Sequence, residues 1–168
     1  NMENAVATAN KELKLYEIEY NKHWLSVMAA KLGIKEPVQT DKILIDTLLN
    51  IMEKTKSDFT NTFVALTKQD FSSGGIFVTE EFESWYVNYL ERIELLQQSE
   101  VESLMKSHNP VVIPRNHLVQ QALEDVSQEQ DFTFYNELLD VLQNPFDYTI
   151  HVRSMLKKPA NVNNKFVS

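Results

Sequence analysis

The sequence predicts an all-α fold: one irregular bundle of about six to eight helices over residues 1–145, with a loop near 68–78 and a partly irregular, extended tail over 146–168. Three observations lead there. Apolar residues recur at steps of three and four along most of the chain, which is the repeat of one helix face. Strand-like alternation persists nowhere. Residues that start and stop helices fall between the apolar runs.

The first helix is expected over about residues 4–32, with Leu13, Tyr16, Tyr20, Trp24, Val27, Met28 and Leu32 on one stripe. Gly33 follows where a left-handed residue ends a helix at least cost, and Pro37 closes the connection. Thr40 or Asp41 can cap a second helix, whose stripe is Leu44, Ile45, Leu48, Leu49 and Met52. Ser57-Asp58 opens a third with Phe59, Phe63 and Leu66 inward, and the Asp58 carboxylate suits the positive end of the helix dipole. Ser72-Ser73-Gly74-Gly75 has loop composition. Thr79 caps a fourth helix carrying Phe82, Trp85, Tyr86, Tyr89, Ile93 and Leu96. Ser99 and Glu102 have capping-box spacing, so a fifth helix is expected to begin there.

After Asn109-Pro110, Val111–Pro114 reads as extended, with Pro114 in the first turn of a sixth helix bearing Leu118, Val119, Ala122, Leu123 and Val126. Asp131 precedes a last helix with Leu138, Leu139 and Leu142, ended by Asn144-Pro145. One short helix near His151–Leu156 is expected in the tail. No internal repeat is present.

Composition excludes several classes of function. The 168 residues carry a net charge of −8, 43% hydrophobic residues, 3 Gly and no Cys. The apolar content exceeds that of a disordered tail. The acidic balance speaks against nucleic acid or an anionic membrane as partner, and no run approaches the ~20 apolar residues that span a bilayer. A cysteine-free chain has no disulfide, zinc–thiolate or thiol chemistry. Neither GxGxxG nor a Walker loop occurs. Asn1 standing before Met2 suggests an introduced start, and hence a piece of a longer polypeptide.

No catalytic or metal-ligating set emerges. Glu19 and His23 have the i, i+4 spacing of helical ligands, but no third ligand accompanies them. HExxH is absent, and His108, His117 and His151 are scattered. The acidic residues of the fourth helix face away from its aromatic stripe, as a solvated surface does. That stripe itself matches a buried face better than a base-stacking platform, which needs a positive groove. No nucleophile elbow of the GxSxG kind occurs. The densest polar run is Asn109–Gln121. Arg115, Asn116 and His117 are placed in the first turn of a helix, where free N–H groups bind anions. The plainer reading, that these side chains bond to the 109–113 segment and fix its path, is favoured. Arg115, Asn116, His117 and Gln120 are the candidate docking or turn-fixing residues; none is assigned to catalysis, cofactor or metal.

That run, Asn109-Pro110 to Ile113, then Arg115-Asn116-His117 and Gln120, resembles the carboxy-terminal region of the selenoprotein O family. So do Asp131, Leu138-Leu139, Leu142 and Pro145, the run Met28–Gly33 and the run Asp58–Phe63. The resemblance keeps the same order over most of residues 15–145. It implies a kinase-like parent that transfers AMP from ATP, with Mg²⁺, onto Ser, Thr or Tyr hydroxyls of other proteins. The family's nucleotide-binding lysine, its glutamate partner and its metal ligands have no matching positions here. The implied role is a non-catalytic carboxy-terminal helical domain with no cofactor of its own. It would pack on the kinase-like part of the same protein, with protein substrates as further partners. The resemblance implies a cytoplasmic location in a bacterium and a mitochondrial one in a eukaryote. The family tail often ends near a Cys or selenocysteine, and Lys165–Ser168 resembles the approach to it.

Two rival readings remain. A self-contained helical interaction module would bind a partner in a groove beside Trp85 and Tyr89. A helix-turn-helix DNA-binding protein is disfavoured by the charge.

Overall fold

The computed structural model describes residues 2–94 and 96–149. Among them are seven α-helices and no strand: α1 (Met2–Lys31), α2 (Asp41–Thr55), α3 (Phe59–Lys68), α4 (Glu80–Ile93), α5 (Gln98–His108), α6 (Asn116–Glu124) and α7 (Thr133–Gln143). The expected loop contains a 3-10 turn, Gly75–Val78, and a π turn, Asp125–Glu129, continues α6. The expected helix near His151–Leu156 lies outside the described residues.

Helix ends follow local chemistry. Gly33 has φ +76°; its N–H reaches the Ala30 carbonyl at 3.0 Å and that of Ile34 reaches Ala29 at 2.9 Å, the paired bonds of a Schellman ending. A Cβ at Gly33 would stand 2.5 Å from Val101 Cγ1, so α5 also needs glycine there. Asp58 Oδ1 accepts the Asn61 N–H at 2.8 Å and Thr79 Oγ1 accepts that of Phe82 at 3.2 Å, capping α3 and α4. Thr40 stands at the head of α2 without a side-chain cap. The Asp41 carboxylate instead accepts from Val38 N at 2.7 Å and from Arg92 of α4 at 2.6 and 3.1 Å. Helix α5 begins at Gln98, before the Ser99 start expected from the capping box. Pro114 precedes α6 rather than occupying its first turn, because Arg115 is extended (φ −81°, ψ 131°) and holds the N-cap position.

Burial divides the chain. The main core joins the end of α1 to α2, α3, α4 and α5, with Leu32, Ile34, Ile45, Leu48, Phe63 and Trp85 at its centre. A smaller cluster, Val111, Val112, Leu118, Ala122 and Leu138, lies between the 109–113 segment, α6 and α7. The first helix is only half used. Met28 and Leu32 are buried as expected, but Leu13, Tyr16, Tyr20 and Val27 of the same stripe are exposed, because no other described element reaches them. Phe59, Leu96, Leu123 and Leu139, also expected inward, are exposed too. Phe59 still packs its ring 4.7 Å from that of Phe63.

Candidate functional site

Of the polar residues that the sequence singles out as candidates, Arg115 lies at the joint between the two clusters. Arg115 stands just before α6 and reaches across to the start of α3. Its Nη1 donates to Asp58 Oδ2 at 2.9 Å and its Nη2 to Asp58 Oδ1 at 3.0 Å. The planar guanidinium matches the carboxylate in a two-pronged bond, a geometry that lysine cannot reproduce. Asp58 is thus both helix cap and anchor. Burial pushes its carboxyl up. The Arg115 hydrogen bond, the Asn61 N–H and the Arg115 charge together outweigh burial and hold it below the ordinary carboxylate range.

Beside this pair, Asn109 is fully buried. Its Nδ2 donates to the Lys31 carbonyl at 2.8 Å and to Thr67 Oγ1 at 3.0 Å, and its own carbonyl accepts from the Tyr148 hydroxyl at 2.8 Å. Through its side-chain NH₂ and its backbone carbonyl, Asn109 at the end of α5 therefore joins the end of α1, α3 and the chain after α7. Lys31 Nζ donates to the His108 carbonyl at 2.7 Å and sits 5.7 Å from the ring centres of Phe59 and Phe63. Burial pulls its pKa down. Val111 N donates to the Pro145 carbonyl at 2.7 Å, closing the segment against the end of α7.

The candidates therefore separate. Arg115 is committed to Asp58. His117 is half-buried, while Asn116 is exposed at the first position of α6. Gln120 is exposed and donates to Glu124 Oε1 at 2.7 Å. The sequence placed Asn109 at the head of the run and Asp58 at a helix start, but gave no sign that these residues meet. The 57-residue separation of Asp58 and Arg115 leaves no local pattern to find.

Elsewhere a cavity of about 540 Å³ is lined by Leu66, Tyr86, Tyr89, Met105, Lys106 and Tyr148, among others. Lys68 and Lys106 lie 5.4 and 5.8 Å from the Tyr148 ring centre. Tyr89 donates to the Leu32 carbonyl at 3.0 Å, and burial, with Tyr86 next to it, pushes its phenol well above the ordinary range. Trp85 Nε1 donates to the Leu44 carbonyl at 2.8 Å. Trp85 and Tyr89 are 2% and 3% exposed, so Trp85 belongs to the core and of the two only Tyr89 lines the cavity that the interaction-module reading would use. Glu19 and His23 are both exposed. Among the described residues no three His, Asp or Glu side chains gather around one point, and no helix is long and apolar enough to cross a membrane. The arrangement can hold a joint together through ion pairing and amide bonding.

A family model described as "Protein adenylyltransferase SelO" matches residues 3–143. The "Protein nucleotidyltransferase YdiU" of Clostridium perfringens is 39% identical over 170 residues, covering all of this chain and 34% of that protein. The protein of the same description from Clostridium botulinum is 45% identical over 151 residues, covering 89% and 31%. That from Bacillus cereus is 35% identical over 166 residues, covering 98% and 34%. The chain spans about a third of the length of these relatives.

Proposed function

From the premise that this chain belongs to the SelO family of protein adenylyltransferases, we propose that it is a non-catalytic, carboxy-terminal helical domain of such an enzyme. One observation carries this reading: α1 presents Leu13, Tyr16 and Tyr20 to solvent on one face, in a chain a third as long as its relatives. Large apolar side chains in such a row mark a surface that meets another protein surface. The kinase-like part of the same protein is the partner that fits, with protein substrates bordering it. ATP and Mg²⁺ belong to that part, where AMP passes from ATP to a protein hydroxyl. Such transfer depends on positioned phosphates and a metal, and the residues here supply neither. The bacterial relatives agree with a cytoplasmic setting.

Arg115 and Asp58 then serve to fix the joint between the two clusters. Asn116, His117 and Gln120, more open to solvent, serve docking. Incubating the chain with Mg²⁺-ATP should leave its melting temperature unchanged; a rise of several degrees would overturn the claim that it has no nucleotide site. Mixing it with the remaining two-thirds of the Clostridium perfringens relative should give a complex on gel filtration. Tyr16→Asp should abolish that complex, and its survival in the variant would remove α1 as the docking face.

A second reading, a self-contained interaction module, is favoured by the same exposed stripe, once the groove moves from Trp85 to α1. Restoration of AMP transfer when the two parts are combined would decide against it.

A further inference from the structure

The cavity of about 540 Å³ lined by α3, α4, α5 and Tyr148 combines an apolar floor with a charged edge. Leu66, Ile93, Val101 and Met105 line it and are buried. Tyr148, tied to the Asn109 carbonyl through its hydroxyl at 2.8 Å, stands at the edge. Lys68 and Lys106, from the last turns of α3 and α5, bring their ammonium groups to 5.4 and 5.8 Å from its ring centre. Lys106 is paired with Glu102 at 2.5 Å, and Glu102 is the one acid of the lining among the described residues. Lys68 has no ion pair among those residues. Asp70, two positions on, gives its Oδ1 to Ser72 and does not line the cavity. The lining thus carries two lysines against one carboxylate, in a chain of net charge −8. A hollow on the far side of Leu90, beside Glu91 and Glu94, has the opposite sign. The Tyr86 hydroxyl also lines the cavity, and it takes part in no hydrogen bond among the described residues.

We propose that this cavity binds a small aromatic carboxylate. The carboxylate head lies at the lysine edge beside Tyr148, the ring lies on the apolar floor, and the Tyr86 hydroxyl is a further polar anchor. The volume falls in the range of small-molecule pockets, which pair an apolar lining with a few placed polar groups. The charge selects the head. A cation is repelled by two ammonium groups, and a neutral body that covers Lys68 and Tyr86 leaves a charge and a hydroxyl without water or partner, which is costly. A single carboxylate matches the one ammonium that Glu102 leaves uncompensated, whereas a polyphosphate brings more charge than the edge can neutralise. The lining selects the body. Tyr86 and Tyr89 offer rings for edge or offset stacking, and the Met105 thioether is a favourable neighbour for an aromatic ring.

The chain has five methionines, so methyl-labelled methionine reports on the full 168-residue protein with few signals. Met105 lines the cavity, while Met28 and Met52 lie in the main core and do not. Titration with naphthalene-2-carboxylate should shift the Met105 methyl resonance saturably, with a Kd of about 1 mM or tighter, and leave those of Met28 and Met52 in place. No shift, or equal shifts at all three, would overturn the proposal. The neutral isostere, naphthalene-2-carboxamide, should bind about tenfold more weakly, the scale of one ionic contact; equal affinity would overturn the anionic head. Displacement of the naphthoate by millimolar inorganic phosphate would overturn the need for an aromatic body. Lys68→Gln combined with Lys106→Gln should weaken the naphthoate about tenfold, and unchanged affinity would overturn the lysine edge. Should that variant move the Met28 and Met52 resonances, and so the fold, Tyr86→Phe decides instead. It removes one hydroxyl that holds nothing else together and should weaken binding about threefold, with unchanged affinity counting against the site.

Discussion

The two apolar clusters are built from similar helices but closed to different degrees. Among the described residues the main cluster gathers 17 buried side chains from five helices, the connection after α1 and the 3-10 turn, while the smaller one gathers five, from α6, α7 and the segment before them. In the main cluster the aromatic rings of α4 form the wall. Trp85 stacks on Tyr89 with ring centres 5.3 Å apart, and Phe71 and Phe77 cover Phe82 at 5.5 and 5.0 Å. Among the described residues no element covers the smaller cluster on one side, so Leu123 and Leu139 stay open beside buried Leu138. Closure requires surfaces on every side of a helix pair, and two short helices cannot supply them alone. The Arg115–Asp58 bridge and the Asn109 amide therefore matter out of proportion to their size, because they tie the thin cluster to the thick one.

The comparison predicts unequal responses to substitution. Trp85→Ala should have the largest effect, about 3–5 kcal/mol for truncating a buried aromatic, with loss of the bond to the Leu44 carbonyl; urea denaturation followed by circular dichroism would measure it. A loss under 1 kcal/mol would mean that α4 is not the wall of the core. Gly33→Ala should cost roughly 3 kcal/mol, combining positive φ with overpacking against Val101, read as a drop in melting temperature. Leu138→Ala should cost about 2–3 kcal/mol. Hydrogen exchange should show that cost confined to α6 and α7 while Ile45 and Leu48 amides stay protected; loss of protection throughout would merge the two clusters into one cooperative unit.

Arg115→Ala should cost about 2 kcal/mol, the scale of a charge-assisted bond whose loss strands a partly buried carboxylate. It should also change the response to acid. The Asp58 pKa is depressed in the folded chain, so the unfolded chain takes up the proton first as pH falls. The stabilisation is complete above the unfolded value of about 3.9 and is lost as pH falls through the folded one. Arg115→Ala should flatten that acid dependence, and an unaltered pH–stability profile would contradict the pairing. The smallest effect is expected at Tyr16→Ser on exposed α1, within about 0.5 kcal/mol by thermal melting. A larger loss would show that this half of α1 is packed in solution.

Much of this was legible in the sequence. The helical repeat, the caps at Asp58 and Thr79, and the ending at Gly33 rest on bonds between residues three to five apart, so a local reading finds them. Thr40–Asp41 was less legible, because Arg92 and Val38 compete for the Asp41 carboxylate that would otherwise serve the helix head. The candidate site was half visible. Arg115 stood out as a polar residue in a dense run, but its partner lay 57 residues away. Asn109 carries the joint through contacts 42 and 78 residues distant.

The first helix marks the boundary between what each level decides. Its apolar stripe runs without a break from Leu13 to Leu32, and the sequence by itself determined that this stretch would be helical and where it would stop. Whether a given residue of the stripe is buried depends on a surface brought from elsewhere in the chain. Helices α2 and α5 reach Met28 and Leu32, while Tyr16 and Tyr20 extend past them into solvent. Helical period and capping arise from neighbours along the backbone. Burial and ion pairing arise from neighbours in space, so only the tertiary structure could decide that half of one stripe is core and that Arg115 belongs to Asp58.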